Sequence, residues 1–328
     1  MEGNRFEREL NPAHAPIMMK FAICGLLLCV NLAQAGLRDY PALVVADSNV
    51  PALPPRGQIR VTYLGVNGYQ LETGKHVLLV DPYFTRIGFW PVTFNQPSAS
   101  NRDRVGEALP HLRTRVDAVL VTHAHFDHLL DVPAILEHTG ARLFSGPTAI
   151  NLMRSSGVPQ SRCETVKPGA VRTIGPWTIR VFPAQHDKLF GSTPFPGRVD
   201  TVNPPPGKVS DWVVGEPLAF VIEAAGKRIY VDSGGVPGAA PSAAIGQVDL
   251  AILGVALPDS RARYAEAVRS LRPRYILPSH QDDFFSPLRS GFVFGKMTSF
   301  PQLLRNQTEE HLPGRVILLD YFRPWTLR

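Results

Sequence analysis

The sequence predicts one large domain of the α/β class, and three observations lead there. Short apolar runs bounded by Gly, Pro and Asp alternate with amphipathic segments, the pattern of strands interleaved with helices. With 44% hydrophobic residues in 328, the chain can bury a core of that size. Side chains with the chemistry of metal ligands stand at the ends of apolar runs as far apart as His123 and His280, so a site made from them needs both halves of the chain in one unit.

The elements follow in order. Residues 36–57 are punctuated by Pro and read as a surface connector, and residues 58–328 as the domain. Residues 58–64 alternate polar and apolar side chains, as a half-buried strand does; residues 68–71 and 76–80 form a hairpin about Thr73-Gly74-Lys75 that ends at Asp81-Pro82. Residues 83–101 make a long loop rich in aromatics: Tyr83, Phe84, Phe89, Trp90 and Phe94. Such a loop either overhangs a site and receives an apolar part of a substrate or is anchored by its own rings, and both readings stay open. The run Val119-Leu120-Val121 is a strand, residues 132–138 a helix with Pro133 in its first turn, 142–144 a strand and 147–155 a helix. A hairpin of residues 171–174 and 177–182 comes next, then a Pro- and Gly-rich loop over 188–217 centred on Pro204-Pro205-Pro206. Beside a candidate ligand, a loop of that length reads as substrate-binding. Residues 218–223 and 227–231 pair around Ala225-Gly226; 248–253 is a strand, 261–271 a helix and 274–277 a strand.

The chemistry is concentrated in Thr122-His123-Ala124-His125-Phe126-Asp127-His128, directly behind the first of these buried runs. Three imidazoles and a carboxylate are a borderline-soft donor set that suits zinc, with iron or manganese as alternatives. His123 and His125 project to one side of an extended segment and can hold one ion. Asp127 and His128 are adjacent and converge on a second ion only if the backbone turns there.

This His-x-His-x-Asp-His motif resembles that of the metallo-β-lactamase superfamily, in which a lone His, an Asp and a final His follow. Here those positions match His186 in Pro-Ala-Gln-His-Asp, Asp232 in Tyr-Val-Asp-Ser-Gly-Gly and His280 in Leu-Pro-Ser-His. The resemblance covers residues 59–319. It implies a four-layer αββα sandwich, an α/β (α+β) fold, with the metals at one edge of two sheets and two similar halves. It also implies that His123, His125 and His186 hold the first divalent ion, that Asp127, His128 and His280 hold the second, and that Asp232 bridges them. Asp127 and Asp232 then stand nearest the chemistry, in which a hydroxide shared by the ions attacks the substrate. Asp81 matches an Asp that lies beneath the site in this superfamily and orients a ligand histidine. Ser233 and Asp187 stand beside ligands and are candidates to assist; Asp282 or Asp283 is a candidate to accept a bond from His280, with surface acids as the alternative.

The amino terminus has the form of a secretory leader: Lys20, an apolar stretch from Phe21, then Ala33-Gln34-Ala35, with cleavage expected after Ala35. The stretch is short for a membrane span, which needs roughly 20 apolar residues, and an uncleaved anchor is the alternative. A periplasmic or secreted location follows, and no stable membrane span is expected after cleavage. Removing residues 1–35 takes Cys24 and Cys29 and leaves Cys163 alone, read as structural, with no intrachain disulfide. The net charge of +6 comes without a basic run interleaved with aromatics, so it reads as a solvated surface and no nucleic-acid partner is expected.

Three functions compete. In the superfamily that this sequence resembles, an Asp rather than a Cys at the place of Asp232 goes with phosphodiesterases, thioesterases and lactonases, so the resemblance implies first a hydrolase of phosphodiesters or esters acting on a small-molecule or lipid-like substrate. A lactonase or β-lactamase-like amidase is the second reading, and a non-hydrolytic iron protein such as a sulfur dioxygenase the third. Substrate identity, native metal and oligomeric state are left open by the residues.

Overall fold

The computed structural model describes residues 35–202, 204–233, 244–258 and 260–328. The leader expected over 1–35 lies outside the described residues apart from Ala35, as does Gly234-Gly235. Among the described residues no helix is long and apolar enough to cross a membrane.

Among the described residues fourteen strands form two sheets of seven. In the first half of the chain these are β1 (Ile59–Gly65), β2 (Gly68–Thr73), β3 (His76–Val80), β4 (Ala118–Leu120), β5 (Arg142–Ser145) and β6 (Cys163–Thr165). In the second half they are β7 (Val171–Ile174), β8 (Trp177–Pro183), β9 (Leu218–Ala224), β10 (Lys227–Val231), β11 (Leu250–Gly254), β12 (Tyr275–Ser279), β13 (Arg315–Val316) and β14 (Pro324–Leu327). The sheet orders are β14-β1-β2-β3-β4-β5-β6 and β13-β12-β11-β10-β9-β8-β7. Each sheet begins with antiparallel hairpins and turns parallel where helices start to intervene: from β3 to β6 in the first and from β10 to β13 in the second. Parallel neighbours need a crossover, which explains the change of direction. The two halves therefore repeat one plan, and β14 returns to pair with β1 through Val61 and Trp325.

The period of two in the strands creates the layers. Leu78, Leu120, Ile222 and Ile252 turn inward to a core between the sheets, with Trp177 at its centre. Their neighbours Leu79, Val119 and Leu143 face out to the helices Val132–Thr139 and Pro147–Ser155, where Ile135, Leu136 and Met153 meet them. Val221, Ala251 and Ile276 face out to Val268 and Leu303 on the helices Ser260–Leu271 and Phe300–Glu309. Helix, sheet, sheet and helix give the αββα sandwich.

Two details differ from the sequence reading. Strand β1 is buried along its whole length despite its alternation. The Arg60 guanidinium lies 3.6 Å from Glu72 and donates to the Pro51 carbonyl, so residues 36–57 cover that face. That segment also packs inward: the Tyr40 ring stands edge-on to Phe294 and Phe300, and the Val45 N–H donates to the Leu318 carbonyl. The closing helix Phe300–Glu309, which buries Phe300, Leu303 and Asn306, lies beyond the elements that the sequence reading places. The short strands β13 and β14 carry no strong periodicity and are held by register with β12 and β1, which is tertiary information.

Candidate metal centre

All the candidate residues leave the carboxyl ends of strands. Asp81 follows β3, the His-x-His-x-Asp-His segment follows β4, His186 lies three residues beyond β8, Asp232 follows β10 and His280 follows β12. The backbone turn that Asp127 and His128 require is supplied by a short helix, Phe126–Leu129. Two backbone bonds tie this segment to the second half of the chain: the Ala124 N–H donates to the Val214 carbonyl, and the Leu218 N–H to that of Thr122.

Six of the seven candidate ligands gather in two groups, His123 with His125 and His186, and Asp127 with His128 and His280. Within each group one donor atom per residue lies within 4.8 Å of the others. Asp232 belongs to neither group. It is fully buried at the end of β10, and its Oδ1 accepts from the Gly254 N–H. Ser233 brings its hydroxyl to 3.4 Å from His128 Nε2.

The hydrogen bonds around the imidazoles decide which nitrogen faces the centre. His123 Nδ1 lies 3.2 Å from Thr122 Oγ1, His125 Nε2 lies 3.0 Å from the Pro194 carbonyl, His186 Nδ1 lies 2.7 Å from the Asp187 carbonyl and His128 Nδ1 lies 2.9 Å from Asp81 Oδ2. Carbonyl and carboxylate oxygens can only accept, and the Thr122 hydroxyl already donates to Asp81, so each of these nitrogens carries the proton. The opposite nitrogens then present lone pairs. His123 Nε2 and His125 Nδ1 face each other at 2.9 Å as two acceptors, an arrangement that repels without a cation to share.

The electrostatics agree. Burial, with repulsion from neighbouring imidazoles, pushes His123 well below its ordinary range, and burial brings His125 and His186 down to about 3. These rings are held neutral, the form that ligates metal. In the second group burial opposes charge, yet Asp127 and Asp81 more than offset it at His128, which is raised. Burial also works against the Asp127 carboxylate, but His128 and His280 outweigh it and hold its pKa below the usual range. The donor set, with the tautomers of His123, His125, His186 and His128, fits two divalent cations.

Asp81 occupies the supporting place that the sequence suggested and does more than orient one ring. Its carboxylate accepts from the Thr122 N–H and hydroxyl, from Asn67 Nδ2 and from His128. Thr122 in turn meets His123, so Asp81 supports both groups. Asp81→Ala should therefore weaken retention of metal by about 10- to 100-fold, read by competition with a chromogenic chelator. An unchanged affinity would exclude this supporting role.

Other expectations are corrected. Neither Asp282 nor Asp283 takes a bond from His280, whose Nε2 instead lies 2.9 Å from Asp127 Oδ2. Asp282 is no surface acid: it is 1% exposed and accepts from Arg86 at 2.8 Å, from the Tyr321 hydroxyl at 2.6 Å and from the Val66 N–H. Asp187 supports His186 through its backbone oxygen, while its carboxylate pairs with Arg263.

Several supporting residues escaped the sequence reading. Val66 sits at φ 54, a left-handed conformation unusual for a β-branched residue, and its carbonyl accepts from the His280 N–H at 2.7 Å; His280 is itself at φ 56. The preceding Gly65, at φ +96, lies so close to Arg86 that a Cβ there would meet Nη2 at 1.9 Å. Asp131, buried, accepts from the N–H groups of Phe84 and Thr85 and from the Ser100 hydroxyl, fastening both ends of the aromatic loop. Its place three residues after His128 was the available signal. Within that loop Tyr83 and Phe84 are core anchors, whereas Trp90 and Phe94 are exposed.

A sequence model of the Beta-lactamase superfamily domain matches residues 76–280, the span that holds every candidate ligand. A UPF0173 metal-dependent hydrolase of Cupriavidus taiwanensis is 31% identical over 275 residues, which cover 80% of this chain and 87% of that protein. Among solved structures, Igni18, a metallo hydrolase from Ignicoccus hospitalis, superposes with a TM-score of 0.53 at 18% identity over 83% of this chain and 99% of its own. CmlA, a diiron β-hydroxylase from Streptomyces venezuelae, gives 0.53 at 15% identity over 84% and 55%. These two likenesses establish the fold alone. Together with the matched domain and the hydrolase relative, the two donor groups at the sheet edge show that this chain belongs to the metallo-β-lactamase superfamily and is a metal-dependent hydrolase.

Proposed function

We propose that the protein is a binuclear hydrolase of ester or phosphodiester bonds. The observation that carries the reading is the pairing of two donor groups, in which hydrogen bonds set the tautomers of His123, His125, His186 and His128. His123, His125 and His186 would hold one ion and Asp127, His128 and His280 the other, with zinc the first candidate and manganese or iron the alternatives. Asp232, buried at the end of β10, would serve as the shared ligand. Bound divalent ions at such a site polarise the electrophile and make water a nucleophile near neutral pH.

The chain's own residues supply the rest. Thr122, Asp81 and the carbonyls of Pro194 and Asp187 keep the rings aimed before any ligand arrives, so little reorganisation accompanies binding. The Val66 turn holds His280 at the opposite wall of the site. A carboxylate at position 232 suits a compact dication that meets two oxygens of a phosphodiester or the oxyanion of an ester. It makes no special provision for the departing nitrogen of a β-lactam. Export from the cytoplasm, with cleavage after Ala35, belongs to the same proposal; amino-terminal sequencing of protein from the native host tests it, and a mature chain retaining Phe21 would overturn it.

A chromogenic panel of ester, thioester, lactone, bis-aryl phosphodiester and β-lactam substrates, run after reconstitution with zinc, manganese or iron, tests the chemistry. The expected result is a kcat/KM for the best ester or phosphodiester at least about 100-fold above that for any β-lactam under one metal and pH. A β-lactam turned over fastest would overturn the role given to Asp232. Activity confined to iron, with oxygen consumed, would favour an oxygenase.

A further inference from the structure

We propose that the cleft over the metal centre is built to receive a long hydrocarbon chain, so that the substrate is the ester or phosphodiester of a long-chain acyl or alkyl group. This rests on the hydrolytic reading above and names its substrate class. A cleft of about 520 Å³ contains His125, Asp127, His186 and His280 and is otherwise lined chiefly by apolar side chains. Its size is that of a pocket for a small organic ligand.

Four separate segments contribute aromatic rings to it: Phe89 and Trp90, Phe126 beside the ligands, Phe190 and Phe195, and Phe284 and Phe285. The apolar wall starts at the ligands themselves. Phe195 stands edge-on to His125 at 6.0 Å between ring centres, and Phe284 edge-on to His280 at 5.1 Å. From there the wall continues outward, Phe284 to Phe285 at 4.1 Å and Phe285 to Phe89 at 5.4 Å, reaching Trp90 at the rim. A hydrocarbon chain attached to the scissile group would have an unbroken apolar path from the metals to the opening.

Anchoring accounts for Phe195 and Phe284, which pack against the core, but not for Trp90 and Phe190. Tyr83 and Phe84 are fully buried and already anchor the aromatic loop, whereas Trp90 is 53% and Phe190 64% exposed. Phe190 and Phe195 are both held at positive φ, 51 and 38, which side chains adopt only when the surrounding structure imposes it. Large apolar rings kept exposed around a cleft mark a surface that binds something apolar.

Two measurements on the full chain test this. The metal-reconstituted protein should hydrolyse p-nitrophenyl esters from acetate to decanoate with kcat/KM rising roughly two- to fourfold per added methylene until the cleft is filled. Independently of catalysis, the metal-free protein should bind 11-(dansylamino)undecanoic acid with a saturable blue shift in emission, reversed by decanoate and not by acetate. Phe285→Ala and Phe190→Ala should each flatten the chain-length slope and weaken probe binding at least about fivefold, and Phe285→Leu should recover most of both. A flat or falling slope, probe binding indifferent to these substitutions, or a compact aryl ester such as naphthyl acetate outrunning decanoate would overturn the inference. Probe binding as described, with no ester or phosphodiester hydrolysed under any metal, would instead reject the hydrolytic reading and leave the hydrocarbon cleft standing.

Discussion

Asp127→Ala should reduce kcat/KM on the best substrate by on the order of 10³-fold, equivalent to about 4 kcal/mol of transition-state stabilisation, while saturating metal content falls from two ions per chain to one. The reason is that the bonds holding the first group do not pass through Asp127. Asp127 lies 2.9 Å from His280 Nε2 and 3.6 Å from His128 Nε2, so its loss leaves the second group with two imidazoles and no carboxylate beyond the shared Asp232. In the first group, Thr122 and the carbonyls of Pro194 and Asp187 hold His123, His125 and His186, and none of these bonds involves Asp127. Elemental analysis after dialysis against excess metal, alongside kinetics, gives both numbers. Asp127→Asn separates charge from shape: it fills the same volume without the negative charge and should retain the second ion only weakly. Loss of both ions in Asp127→Ala would show that the pairing is wrongly drawn. Retention of both with near-normal turnover would remove Asp127 from the ligands.

Arg86→Met should destabilise the metal-free protein by about 3–5 kcal/mol, a fall in Tm of roughly 10 °C for a domain of this size. Arg86 and Asp282 are both fully buried and paired at 2.8 Å, so removing the guanidinium strands a carboxylate away from water. The Tyr321 hydroxyl and Val66 N–H cannot neutralise it. The same carboxylate positions the Val66 turn, whose carbonyl accepts from His280, so retention of the second ion should also weaken. Adding Asp282→Asn should recover part of the stability, because a neutral amide oxygen still accepts from Val66 without an unpaired charge. Thermal unfolding of the two single variants and the double variant closes that cycle. A cost below about 1 kcal/mol for Arg86→Met would mean that water reaches the pair.

Much of this protein is determined locally, and the reason is periodicity. Residues 77–80, 118–121, 229–231 and 275–277 are short apolar runs, and runs this short and rich in β-branched or aromatic residues, with Asp, Thr or His close behind, read as buried strands whose ends meet solvent or a site. The six donors that gather in two groups were legible for the same reason: they follow strand ends in an order shared with a superfamily. What the sequence could not determine are relations between segments distant in the chain. Nothing local in Pro324–Leu327 says that it pairs with β1, because edge pairing depends on which strand is left exposed once the other thirteen are placed. The burial of Arg86 and Asp282 is likewise a tertiary decision, since 196 positions separate them and either would read as a surface charge until the other is folded against it. The tautomers of His125 and His186 depend on carbonyls of loop residues with no periodicity, Pro194 and Asp187. Side-chain type chooses the donor, but only packing decides which nitrogen is left to use.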